Sequence, residues 1–184
     1  MQELWQLYDE QRNPLPGQGA GKDDVYKGLL HGAAHVWIWR RNGNRLEVLV
    51  QKRAAGKRTW PNLLDISAAG HIDLGETPLQ AAIRETQEEV GLSISPDDLQ
   101  PIAETKQYLT APDGSTENEL IWLYGLEFKS AESFDLQAKE VGSVTWKDFD
   151  TFAQEVRAND NHEIYVPHGK EYFETVLEFI SAQK

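Results

Sequence analysis

The sequence predicts an α/β fold: a sandwich of helices around a mixed β-sheet. Three observations carry the prediction. Short apolar runs bounded by Gly, Pro and Asn fill the first third of the chain and read as strands. An amphipathic helix is predicted at 78–90, and strand-like runs resume after it. Two helical stripes close the chain, so strands, one helix, more strands and final helices suit helix layers packed on a sheet. The chain has 184 residues, 40% of them hydrophobic, a size and composition that suit one domain. Residues 1–29 read as an N-terminal strand and linker of the same domain as 30–184.

Leu4 to Asp9 alternates like a strand, and Pro14 to Gly21 reads as a turn-rich link. Ala33 to Arg40 is a strand. Arg41-Asn42-Gly43-Asn44 signals a hairpin, and Arg45 to Lys52 returns with Leu46, Val48 and Val50 on one face. A loop at 54–59 leads to a strand at Leu64–Ala69. The helix at 78–90 has Thr77 as N-cap, Pro78 at the first helical position, Gln80 completing a capping box and Gly91 just past its end. Leu79, Ala82, Ile83, Thr86 and Val90 supply its apolar face, and Arg84, Glu85, Glu88 and Glu89 lie opposite. Ser95 to Asp98 is a turn or one helical turn. Strands follow at 101–110, 117–128 and 141–146, and helices at 148–158 and 170–182. In the last helix Tyr172, Phe173, Val176, Leu177 and Ile180 form the buried stripe.

Glu85, Glu88 and Glu89 crowd one turn of the 78–90 helix, where residues three and four apart share a face. An exposed acidic face is the ordinary meaning of such a run. Here the run follows a Gly-rich approach, Ser67 to His71, and a tight Gly75-Glu76 turn. That context favours a hard divalent cation such as Mg²⁺, which takes oxygen ligands and arrives with substrate phosphates. Arg84 can hold one of the carboxylates by charge-assisted hydrogen bonds.

The formal net charge is −12 and there is no cysteine. The charge disfavours nucleic acid polymers and anionic membranes as partners. The missing cysteine removes disulfides, thiolate zinc sites and thiol nucleophiles. No apolar run is long enough to span a bilayer. The polar, acidic opening MQELWQLYDEQ does not read as a secretion signal, so the expected location is the cytoplasm. A homodimer is compatible with all of this. A phosphorylated substrate must overcome the negative field, and the basic stretch Lys52-Arg53 with Lys57-Arg58 is the candidate patch. Lys52 and Arg53 are the expected substrate-binding residues, Arg53 through a bidentate fork.

Gly70, Glu76, Arg84, Glu85, Glu88, Glu89, Gly91 and Leu92 resemble the Nudix box, Gly-x5-Glu-x7-Arg-Glu-U-x-Glu-Glu-x-Gly-U, with U a bulky aliphatic residue. Thr86 departs from it where an aliphatic residue is usual. The resemblance covers roughly residues 30–182 and implies the Nudix fold, an α/β/α sandwich around a mixed sheet. It implies a hydrolase that cleaves a diphosphate linkage with Mg²⁺ or Mn²⁺ held by Glu85, Glu88 and Glu89 and by a carbonyl beside Gly70. Arg84 and Glu76 would support the catalytic set, Glu76 by bracing the loop before the helix. A further catalytic glutamate in a later loop would fall at Glu140.

A second resemblance concerns subfamily. Trp60-Pro61, Ser67 to His71 and Glu117-Asn118-Glu119 are similar to isopentenyl-diphosphate isomerase, a Nudix-fold enzyme. That likeness implies a further metal site from His31, His71, Glu117 and Glu119. Glu117 and Glu119 lie two apart on one strand face, and two carboxylates with two imidazoles suit Mn²⁺ or Zn²⁺ better than Mg²⁺. The isomerase's essential cysteine corresponds to Ala69, which moves the balance to hydrolysis. The alternatives are an isomerase-like enzyme on prenyl diphosphates with a non-thiol acid, and a nucleotide-binding sensor without catalysis. His35 reads as packing or as stacking on an aromatic ligand. Trp60, Tyr108 and Trp122 read by default as core residues.

Overall fold

A computed structural model of the chain describes residues 3–129, 133–159 and 163–183. In chain order the elements are β1 (Trp5–Tyr8), β2 (Pro14–Ala20), α1 (Lys22–Val25), β3 (Lys27–Asn42), β4 (Arg45–Arg53), β5 (Leu64–Asp65), β6 (Ala68–His71), α2 (Pro78–Val90), a 3₁₀ turn (Pro96–Asp98), β7 (Leu99–Thr110), β8 (Thr116–Glu127), β9 (Val141–Asp148), α3 (Phe149–Arg157) and α4 (Lys170–Ser181).

β3 is the spine of the sheet. Along one edge it pairs in parallel with β8, from Lys27↔Thr116 to Trp39↔Glu127. Along the other it takes three antiparallel partners in succession: β1 at His31, β6 over Ala33–Val36 and β4 over Trp39–Asn42. β7 adds to β8, while β9 and β5 add to β4, all antiparallel. The sheet is therefore mixed. Successive residues of a strand face opposite ways, and β3 shows it. Trp37 and Trp39 pack with Phe152 and Val156 of α3 and Phe173 and Val176 of α4. Val36 and Ile38 pack with Ala81, Ala82 and Val90 of α2. Helices cover both faces, as the α/β/α expectation had it.

α2 forms for the local reasons read in its sequence. Thr77 Oγ1 accepts from the Gln80 N–H at 3.3 Å, and the Gln80 side chain accepts from the Thr77 N–H at 2.9 Å. Gly91 ends the helix with φ 76°, a conformation glycine adopts freely. A side chain there would also strike Asp135, its Cβ 2.7 Å away. That close approach lets Asp135 and Gln137 donate backbone N–H bonds to the carbonyls of Val90 and Glu89, both at 3.1 Å. The segment that leads to Glu140 is thus fastened to the end of α2.

Four expectations need correction. Pro14 to Ala20 is a strand, not a link. Proline is tolerated there because, among the described residues, β2 pairs on one side only, with β1. β3 begins at Lys27 rather than Ala33 because its parallel ladder with β8 already starts there. The strand at 64–69 splits in two. β5 pairs with β4 and β6 pairs with β3, and at the fork Ser67 Oγ accepts from the Ile38 N–H at 2.8 Å and donates to the Leu49 carbonyl at 2.6 Å. A side chain thereby satisfies backbone groups where the ladder divides. Finally, Glu89, read as lying with Arg84, Glu85 and Glu88 opposite the apolar face of the helix, is buried at 3% exposed. Thr86, buried beside the core, donates its hydroxyl to the Ala82 carbonyl at 2.7 Å.

Candidate active site

The end of β6 and the acidic turn of α2 meet at one cleft of about 310 Å³. Glu85, Glu88, Glu89, Gly70, His71, Glu117, Glu119 and Glu140 all line it. Glu89 Oε2 accepts from the Ala69 N–H at 2.9 Å and from Gln51 Nε2 at 3.2 Å. Burial pushes its carboxyl up to about 8, against the lowering effect of the Ala69 N–H. Burial likewise pushes Glu85 up to about 7, although Arg84 opposes the shift. Two buried carboxyls this close resist ionisation together unless a cation compensates them. Glu88 is the open member of the set, its side chain 48% exposed.

Arg84 organises the loop before α2. Its Nε and Nη2 grip both oxygens of Glu76, at 3.0 and 2.9 Å, and Nη2 also donates to the His71 carbonyl at 2.9 Å. Its other nitrogen donates to Glu85. Glu76 in turn accepts from the Asp73 N–H at 3.0 Å. Glu76 and Arg84 therefore tie residues 71–76 to the helix.

A second group lies deeper. The β3–β8 register puts His31 beside Glu119, and β6 brings His71 next to Ala33. His31 Nε2, His71 Nε2 and a Glu119 oxygen all lie within 4.8 Å of one another. Glu119 Oε1 stands 3.6 Å from His31 Nε2 and 3.4 Å from His71 Nε2. Ligand atoms sharing one cation at about 2.0–2.2 Å stand roughly 3–3.5 Å apart, so the spacing fits an ion. His31 Nδ1 lies 2.9 Å from the Leu29 carbonyl, which fixes a proton on that nitrogen. Its Nε2 is buried and has no hydrogen-bond partner among the described residues. An unpaired lone pair facing a carboxylate and a second imidazole is a donor set that could hold a metal ion. Burial lowers His71 to about 4, so it is neutral, the form that binds metal. Glu117 lines the same cleft, but His31, His71 and Glu119 are the three that converge.

The expected basic patch divides. Lys52 is exposed and does not line the cleft, because it alternates to the opposite side from Arg53. Arg53 lines it, yet its fork is engaged: Nη1 donates to Asp65 at 2.8 Å, and Nε and Nη2 donate to the Thr59 carbonyl at 3.2 and 2.9 Å. The other cations that line the cleft are Lys57, ion-paired with Glu140, Lys22 of α1, and Arg84, held by Glu76 and Glu85. Trp60 lines the cleft with φ 49°, Tyr108 is 66% exposed, and Trp122 packs at 5.2 Å on Tyr8. Only Trp122 resembles the core role expected of the three. His35 is a packing residue, its Nδ1 2.9 Å from the Tyr172 hydroxyl.

Sequence reasoning missed His168 and Asp65, which pair at 2.8 Å in the floor of the cleft. It also missed Trp5, Lys22 and Tyr26, which form one wall. Asp65 and His168 lie 103 residues apart in sequence, and no local spacing marks either. The alternation at Leu4–Asp9 did signal β1, but not that Trp5 reaches the site.

Comparisons with known proteins agree with this geometry. The NUDIX domain family model matches residues 29–168. The chain is 31% identical over 154 residues to an uncharacterized Nudix hydrolase of Clostridium acetobutylicum, covering 83% of this chain and 73% of that protein. It is 32% identical over 156 residues to an isopentenyl-diphosphate Delta-isomerase of Citrobacter koseri, covering 83% and 81%. In fold it is similar to the crystal structure of DR0079 from Deinococcus radiodurans, with a TM-score of 0.68, 18% identity and 98% of each chain covered. The box residues, the sheet that presents them and the matched domain lead to one conclusion: the chain belongs to the Nudix family, as an enzyme of its pyrophosphohydrolase type.

Proposed function

We propose that the protein hydrolyses a diphosphate linkage in a nucleoside diphosphate derivative or a related organic diphosphate, using Mg²⁺ or Mn²⁺. The observation that supports this reading is that Glu85, Glu88 and Glu89 line one cleft with Gly70, Glu85 against Gly70 and Glu89 on the Ala69 N–H. Those carboxylates and a carbonyl beside Gly70 would hold the cation. When bound, it supplies charge neutralisation at the diphosphate and lowers the pKa of a water. The water oxygen attacks phosphorus, the bridging P–O bond breaks, and a carboxylate of the cleft takes the proton. Arg84 keeps Glu85 in place, and Glu76 holds Arg84. Lys57 offers its ammonium to the phosphates, and Glu140 holds that ammonium at the cleft.

His31, His71 and Glu119 support a second cation site, with Glu117 beside them. Imidazole and carboxylate together suit Mn²⁺ or Zn²⁺. The isomerase-named relative invites an isomerase reading, but Ala69 stands where that enzyme's cysteine would act, and its N–H is spent on Glu89. The test is a phosphate-release screen over nucleoside di- and triphosphates, nucleotide sugars, dinucleotides and prenyl diphosphates, with Mg²⁺ and with Mn²⁺. Metal-dependent release from at least one diphosphate class is expected. No release from any class with either metal contradicts the proposal.

A further inference from the structure

The N-terminal segment precedes the matched domain and still reaches the deeper group of ligands. Trp5 stacks on the His71 ring, with centroids 3.6 Å apart and planes 15° apart. It lies nearly parallel to His31 as well, at 5.9 Å and 24°. The two imidazoles are held differently. A backbone carbonyl orients His31 through Nδ1. Among the described residues nothing hydrogen-bonds Nδ1 of His71, so the orientation that a carbonyl or carboxylate usually gives a metal-binding histidine is left to the indole stacked on the face of its ring.

Trp5 is fixed to the backbone that carries His71. The Gln6 N–H donates to the Ile72 carbonyl at 2.8 Å, and the Leu74 N–H donates to the Leu4 carbonyl at 2.9 Å. Trp5 itself forms an antiparallel bridge with Asp73. From behind, Tyr26 meets the indole edge-on at 6.1 Å, and Ala20 and Val25 complete a small cluster around it. Trp5 is 5% exposed, so its indole is held against the imidazoles and does not swing away.

We propose that Trp5 is a positioning residue for a cation at His31, His71 and Glu119, an inference that rests on the second-site reading above. Stacking restricts rotation of the His71 ring and keeps Nε2 turned to the Glu119 carboxylate. The same ring covers one face of His71, which leaves the imidazole fewer orientations in which it could let a cation go. Because β1 and α1 stand outside the matched domain, this support belongs to the chain's own N-terminal segment.

Calorimetric titration of the full chain with Mn²⁺ tests it, with release into EDTA timed by stopped flow. His71→Ala first identifies the class of bound Mn²⁺ that depends on the deeper group. Trp5→Ala should weaken that class by about tenfold or more and speed its release, leaving the helix class unchanged. Trp5→Phe, which keeps a stacking face, should recover most of the affinity. Val25→Ala loosens the same cluster without touching the imidazole and should change affinity by less than about twofold. Unchanged affinity in Trp5→Ala, or an equal loss in Val25→Ala, overturns the role of Trp5 while leaving the second site standing. If His71→Ala removes no class of Mn²⁺, the second site falls and the role of Trp5 with it.

Discussion

The Glu85 carboxylate occupies the space that a side chain at Gly70 would need. A Cβ on residue 70 would stand 2.0 Å from the Glu85 carboxyl carbon and 2.1 Å from its nearer oxygen. The glycine is required by this contact and not by its backbone, whose φ is negative. Gly70→Ala should therefore leave the strand pairing of β6 intact and push Glu85 off its position. A displacement of that size costs about a hundredfold in turnover where geometry matters. Turnover beside a circular dichroism melt checks it, with a large loss of rate and a small loss of Tm expected.

The box was legible because its constraints are local. Thr77, Pro78, Gln80 and Gly91 mark the two ends of α2, and the helical period sets Glu85, Glu88 and Glu89 on the turn that reaches the cleft. The burial of Glu89 was not legible, because the shielding comes from Gln51 and Ala69 on other strands. The split between β5 and β6 was hidden for a similar reason: it depends on which neighbour each half pairs with, and Ser67 resolves it with a side chain. Lys52 and Arg53 are adjacent in sequence, and strand alternation alone separates them. His168 and Asp65 meet only through the tertiary fold.

The division of the basic patch makes a kinetic prediction. Lys57→Ala should raise KM by about tenfold, the scale of one lost charge-assisted contact. Lys52→Ala should leave KM within about twofold, as an exposed charge outside the cleft does. Steady-state kinetics on the best substrate from the screen decides between the two lysines. A larger effect at Lys52 would reverse their roles.

His35 sets a pH dependence. Burial lowers it to about 3, and His168 adds to the shift, while Glu119 and Asp65 oppose it and His71 reinforces it. The Tyr172 hydroxyl faces its ring as well. Unfolded histidine titrates near 6.5. Above that pH the ring is neutral in both states and its contribution to stability is fully present. As pH falls from about 6.5 towards 3 the unfolded state takes up the proton first, and that contribution is lost. Urea unfolding between pH 7.5 and 4 should show this decline, and His35→Gln should flatten it. Identical slopes in the two proteins would remove His35 as the cause.

Isomerisation should be absent. The chain has no cysteine, and Ala69 offers no proton donor at the position the isomerase uses. Incubation with isopentenyl or dimethylallyl diphosphate and Mg²⁺ or Mn²⁺, followed by chromatography, should return the starting isomer. Efficient metal-dependent interconversion would favour the isomerase reading over hydrolysis.

The most direct test of metal-assisted hydrolysis at the α2 glutamates is the turnover of Glu89→Gln under saturating Mg²⁺. The substitution keeps the size of a side chain that is 3% exposed and still able to meet Gln51 and the Ala69 N–H, while removing its charge. Turnover should fall by at least about a hundredfold, the scale of a few kcal/mol of transition-state stabilisation, with the fold retained. Near-normal turnover by a folded Glu89→Gln protein would contradict the assignment of the cation to these glutamates.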